Sequence, residues 1–323
     1  MEKTSRIHLQ TTFEKGRREA STSKSIRGGV WLVVLGAALW GVDPLFRILL
    51  LKSFTSAQIV LLEHLLLMLY AVPVLWLHRS ELKGLTIRHI AALLFISWGG
   101  SAVATILFTS AFAHGNPNTV LLLQKVQPLF AILMARIILK ERMSKRFPIL
   151  LIVALLGTYL LTFGWTLPVG QLAEVAALSG LLSLGAAALW GGSTVMGRFA
   201  LDQLRFETVT SLRFVLALPL LFAIAWTEGA GWPSTAGGSI HWIAVTGNLV
   251  LQAFLPGLLS LLLYYRGLSN TKASYATLAE LSFPTVGVLI NWLTFGQTIT
   301  VPQLTGFILI WVALYSLSRQ SRQ

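Results

Sequence analysis

The chain has no cysteine and little charge, with 12 acidic and 25 basic side chains among 323 residues. Without thiols there can be no disulfides, thiolate metal ligands or cysteine nucleophiles. A charged content of 11% is also far below the roughly one quarter of an ordinary soluble domain, which excludes a water-soluble globule of this length. No HExxH, glycine-rich phosphate loop or Ser/His/Asp arrangement is present. Glu63-His64 comes nearest to a catalytic pair, and two neighbours name no reaction. The formal net charge of +13 would suit nucleic acid only if the basic residues clustered on a water-facing surface, and here they are dispersed among short polar segments.

Hydrophobic residues make up 55% of the sequence, in runs long enough to cross a bilayer. A helix rises about 1.5 Å per residue, so roughly 20 apolar residues cross a hydrocarbon core of about 30 Å. Ten such runs are expected, at 29–50, 57–77, 89–113, 118–139, 147–165, 174–197, 207–227, 240–265, 273–295 and 302–318. The predicted fold class is an all-α membrane protein. Residues 1–28 read as a disordered basic cytoplasmic tail. With the N-terminus in the cytoplasm, 20 of the 25 Lys and Arg fall on the inside. The expected outer connections 114–118, 166–174, 227–239 and 295–300 hold none, so both termini are expected in the cytoplasm.

The two halves of the chain resemble each other. AALWGVDPLFRILLL at 37–51 returns as AALWGGSTVMGRFAL at 187–201, with Trp40 over Trp190. QKVQPLFAILMARIILKER at 124–142 lies over ELSFPTVGVLINWLTFGQT at 280–298, with Pro128 over Pro284. Five spans per half force the second copy to enter from the opposite side, so the expectation is two inverted repeats, 29–165 and 174–318. Inverted repeats mark secondary transporters whose substrates bind near the midplane. On the ALWG of spans 1 and 6, the QP…LKER ending of span 4 and the AELSFPTVGVLIN of span 9, the chain resembles the EamA-type members of the drug/metabolite transporter superfamily. That resemblance implies ten helices, a central cavity between two bundles, alternating access, and somewhat favours export. Members often carry Arg in span 2, where this chain has Glu63, while Arg213 takes the corresponding place in span 7.

Asp43, Glu63, Lys125, Arg213 and Glu280 fall well inside predicted spans. Each would cost about 2.5 to 3.5 kcal/mol facing lipid, so they are expected to point inward. Matching their depths predicts one ion pair per half, Glu63 or Asp43 with Lys125, and Glu280 with Arg213. Such pairs either bind substrate or carry protons, or else fasten helices. Arg47 is expected to snorkel to the interface. Pro128 and Pro284 should kink their helices and free carbonyls near Gln124 and Glu280; Pro256 is a candidate gating bend. Trp40 and Trp190 could stack on a substrate or pack between helices, and His64 is a candidate proton carrier.

The expected function is alternating-access transport, across the cell's inner membrane, of a small polar or zwitterionic metabolite such as an amino acid or amine, with export favoured. The alternatives are a broad-specificity drug or cation exporter and a membrane-embedded lipid-modifying enzyme, the latter lacking any nucleophile or metal cluster. The expected partners are a small-molecule substrate and the bilayer, with no nucleic acid and no cofactor; a homodimer stays open.

Overall fold

The computed structural model describes residues 28–115, 117–166, 177–228, 231, 242–295 and 298–320, and among them there is no strand. The predicted tail therefore lies outside the described residues except for Gly28. Among the described residues, eight helices are long and apolar enough to span a bilayer: α1 (Gly28–Leu50), α2 (Ser56–Leu77), α3 (Ile87–His114), α4 (Thr119–Ile138), α6 (Leu178–Ala200), α7 (Phe206–Thr227), α8 (Trp242–Leu268) and α10 (Val301–Gln320). The shorter α5 is Phe147–Phe163. A further run, α9, consists of Ala273–Ala279, a tight turn at Glu280–Ser282, and Phe283–Phe295.

Local chemistry sets the helix ends. Thr55 opens α2 with a capping box, accepting from the Gln58 amide at 3.2 Å while the Gln58 side chain takes the Thr55 amide at 3.0 Å. At the start of α7, Glu81 accepts the Arg205 amide at 3.0 Å and the Thr208 hydroxyl at 2.8 Å. Glu141 plays the same part for α9, accepting the amides of Ala273 and Ser274 at 2.8 and 3.0 Å.

Pro128 and Pro284 each stand just after an interruption of their helix. α4 breaks at Lys125-Val126 and resumes at Gln127, so Pro128 sits in a first turn, where its missing amide costs nothing. Pro284 likewise follows the first residue of Phe283–Phe295. α3 and α8 each carry a wide turn with an i to i−5 bond, Ala104 N to Gly99 O and Ser260 N to Leu255 O. Pro256 lies inside the second of these turns.

Helices pack closely where glycine removes the side chain. A Cβ on Gly157 of α5 would lie 2.7 Å from the Gly306 carbonyl of α10. One on Gly41 would meet the Phe283 carbonyl at 2.7 Å, and one on Gly191 the Gln127 carbonyl at 3.0 Å. The two ALWG glycines thus press on the residues that precede the two prolines. α2 packs on α7, α3 on α6, and α5 on α10.

Candidate functional site

The helices enclose a cavity of about 140 Å³, measured as space open to water centres. One water needs roughly 10 to 15 Å³ on that scale, so several fit. Of the residues singled out from sequence, Trp40, Asp43, Glu63, His64, Gln124, Trp190, Arg213 and Pro256 line it, while Lys125, Pro128, Glu280 and Pro284 do not.

The first half contributes a charged cluster built on α1. Arg47 follows Asp43 by one turn and donates Nε to Asp43 Oδ2 at 2.5 Å. Its Nη2 donates to Glu63 Oε2 at 3.2 Å and its Nη1 to Thr109 Oγ1 at 3.2 Å. With the Gln252 amide turned so that its oxygen faces the guanidinium, that oxygen accepts from Nη1 at 3.1 Å. Arg47 is only 4% exposed, so it does not snorkel to the interface. A helix-borne guanidinium with a carboxylate at i−4 is already oriented, and its five donors also reach the next helix.

The predicted pairing of Glu63 or Asp43 with Lys125 is therefore corrected, because Arg47 holds both carboxylates. Lys125 stands at the break in α4 with Nζ 5.2 Å from the centre of the Phe283 ring, and it makes no ion pair or hydrogen bond among the described residues. Equal depth fixed its height but not the direction in which it points.

The predicted pairing of Arg213 with Glu280 is corrected as well. Arg213 donates Nε to Ser101 Oγ at 2.5 Å and Nη1 to the Tyr265 hydroxyl at 2.9 Å. Glu280 is buried behind the cavity wall and accepts from three neutral donors: Gln127 Nε2 at 2.5 Å, the Tyr264 hydroxyl at 2.5 Å and Thr194 Oγ1 at 3.2 Å. All three of these partners line the cavity.

Aromatic rings supply the rest of the wall. Trp40 leans on Tyr264 with ring centres 5.0 Å apart, and Trp190 meets Phe108 edge-on at 5.0 Å. The Trp190 indole donates to the Gly100 carbonyl at 2.9 Å, beside the wide turn of α3. His64 bonds the Val60 carbonyl through Nδ1 at 2.8 Å, which makes Nδ1 the protonated nitrogen and leaves Nε2 an acceptor without a partner. Gln124 Oε1 and Ser193 Oγ are also buried and unpartnered, and all three side chains line the cavity.

Sequence reading missed Arg47, Ser101, Thr109, Gln127, Thr194, Gln252, Tyr264 and Tyr265. The i to i+4 spacing of Asp43 and Arg47 was the one available signal. The others are neutral groups whose importance comes only from the helix they meet. Among the described residues no group of His, Asp and Glu could hold a metal ion.

Comparison with known proteins agrees with this architecture. The model of the EamA-like transporter family matches twice, over residues 27–163 and 178–319. The riboflavin transporter ImpX of Fusobacterium nucleatum is 32% identical over 300 residues, covering 90% of this chain and 97% of that one. A riboflavin transporter of Rhizobium johnstonii is 25% identical and covers 85% of each chain. The uncharacterized inner membrane transporter YicL of Salmonella typhimurium is 26% identical, covering 93% of this chain and 98% of its own. One solved structure, described only as a crystal structure of a protein, superposes with a TM-score of 0.71 at 14% identity, over 91% of this chain and 99% of that one. It shares the fold.

Proposed function

Since the chain belongs to the EamA-like transporter family, and is thus a multi-pass membrane transporter and not an enzyme, we propose that its cargo is riboflavin or a closely similar flat, uncharged heteroaromatic metabolite. The observation that carries this reading is the cavity wall, where Trp40, Tyr264, Phe108, Trp190 and Phe283 stand among hydrogen-bonding side chains. A tricyclic ring with an imide edge and a polyol tail needs apolar faces for the ring and scattered donors and acceptors for the rest. The Arg47 charge is already answered by Asp43 and Glu63, which suits a neutral cargo. The names of two relatives point the same way.

The proposed frame is ten crossings in two inverted repeats, 29–165 and 174–318, in the inner membrane with both termini cytoplasmic. Two features support it: the paired family matches, and the reciprocal seating of Gly41 on Phe283 and Gly191 on Gln127. α5 and the broken α9 supply the two crossings beyond the eight long helices. Rocking of one bundle against the other would then expose the cavity alternately to the two sides.

A second reading keeps the cargo expected from sequence, an exported amino acid or amine. It is favoured by Arg213, which lines the cavity and has no carboxylate partner among the described residues, so that its charge suits the carboxylate end of an amino acid.

Riboflavin fluorescence during titration with the purified protein separates the two. Stacking on Trp40 predicts saturable quenching that amino acids and amines do not reverse. Trp40→Ala should weaken binding about tenfold, the equivalent of roughly 1.4 kcal/mol. Absence of saturable quenching, together with stabilisation of the protein by an amino acid or amine, would select the second reading.

A further inference from the structure

The two buried glutamates at the heart of the molecule are held in different ways. Glu63 faces the Arg47 guanidinium, which it shares with Asp43. Glu280 faces an amide and two hydroxyls and forms no ion pair among the described residues. Its Oε1 also belongs to a triangle of oxygens. Tyr264 Oη lies 2.5 Å from Oε1, Thr194 Oγ1 lies 3.2 Å from Oε1, and the two hydroxyl oxygens are 2.9 Å apart.

A count of hydrogens shows what this triangle is built to hold. With Glu280 ionised, two hydroxyl hydrogens serve three oxygen contacts, so one of the three is always left without a hydrogen. With Oε1 protonated, three hydrogens serve three contacts in a closed ring, each oxygen donating once and accepting once. The change needs only hydroxyl rotation, with no heavy atom displaced. Gln127 Nε2 continues to donate to Oε2 in either state.

The surroundings leave this task to Glu280. Lys125 of α4 is turned to the Phe283 ring, and Arg213 of α7 is engaged by Ser101 and Tyr265. Asp43 and Arg47 of α1 bond each other. Tyr159 of α5 bonds the Thr166 carbonyl, Arg198 of α6 pairs with Asp202, and Arg319 of α10 lies over Tyr315. Apart from Tyr264, none of these makes a hydrogen bond or ion pair with the Glu280 carboxylate.

We infer that Glu280 is the proton carrier of the transport cycle, loaded and unloaded through the hydroxyls of Tyr264 and Thr194 that line the cavity. A hydronium ion on one side gives its proton to the hydroxyl ring, which passes one to Oε1 and leaves water behind. After the cavity turns to the other side, Oε1 returns the proton through the same hydroxyls to water. A cargo polar group bonded to Tyr264 or Thr194 alters the donors available to the carboxylate, and this ties proton loading to cargo loading. The inference rests on the transporter reading above, but the first test does not depend on the cargo.

That test is the infrared difference spectrum of the purified full chain between acidic and alkaline buffer. The wild type should show the carbonyl stretch of a protonated carboxyl, Glu280→Gln should lose it, and Tyr264→Phe should shift it. A wild type without the band, or a band unchanged in both variants, overturns the inference. Should Glu280→Gln fail to fold, Tyr264→Phe decides alone. The second test uses proteoliposomes and riboflavin. A gradient of about one pH unit supports up to about tenfold accumulation at one proton per cargo molecule. Glu280→Gln should abolish that accumulation, the loss expected when one free-energy coupling is cut. Exchange in the wild type that ignores the gradient overturns the proton role. Absence of riboflavin exchange removes the cargo reading instead, and the infrared spectrum then decides whether Glu280 takes up a proton.

Discussion

At the scale of single residues, Arg47 carries the largest electrostatic responsibility. It bonds Asp43 and Glu63 and reaches Thr109, so α1, α2 and α3 meet on one buried cation. Removing one partner of a buried ionic cluster leaves uncompensated charge and typically costs about 3 to 5 kcal/mol. Arg47→Met is accordingly expected to lower the unfolding midpoint steeply, and Arg47→Met combined with Glu63→Gln to recover part of the loss. A double-mutant cycle in thermal unfolding measures this; additive effects would mean that the two residues are not coupled. The sequence made it legible that ionisable groups in apolar spans must turn from lipid, and it identified Asp43, Glu63 and Arg213, which line the cavity. Their pairing was not legible. Position along a helix gives depth, whereas contact also needs the rotation of each helix about its axis, which α4 resets where it breaks at Lys125.

At the scale of elements, glycines and carboxylate caps set how the helices meet. Gly41 and Gly191 occupy the same place in the repeated ALWG motif, and each lies against the carbonyl of the residue before a proline. Adding even a methyl group forces that backbone apart, and overpacking of this kind costs about 1 to 3 kcal/mol. Gly41→Ala and Gly191→Ala are expected to lower thermal stability by similar amounts and to slow transport; an unaffected Gly191→Ala would show that α4 and α6 do not seat as described. Loss of the cap in Glu81→Ala should destabilise by about 1 kcal/mol, read as a lower unfolding midpoint, with no effect if Arg205 and Thr208 find water instead. The helical character and the special prolines were readable from spacing and composition. That each proline would follow a break in its helix was not, and the carbonyl before each proline lies against an ALWG glycine of the opposite half.

At the scale of the whole molecule, the absence of cysteine makes each introduced thiol unique. The asymmetric distribution of Lys and Arg predicts that Ser80→Cys reacts with an impermeant maleimide only from the cytoplasmic side, and Lys52→Cys only from the outer side. Labelling of intact and inverted vesicles checks this; reversal of the pattern would turn the molecule over. The likeness of the two halves was readable in sequence because the repeated motifs keep register across 150 residues or so, whereas the cavity wall was not, since Ser101, Thr194 and Tyr265 gain their places only from helices far away in the chain. The central claim is that the cavity between the helices is where cargo binds. The most direct measurement is protection of a single thiol at Leu121→Cys, on the cavity wall, beside one at Leu69→Cys, which is 71% exposed on the outer surface. With a permeant maleimide, riboflavin should slow labelling of the first over the concentration range that saturates transport and leave the second unchanged. Equal labelling rates with and without riboflavin at Leu121→Cys, in protein that transports riboflavin, would contradict the claim.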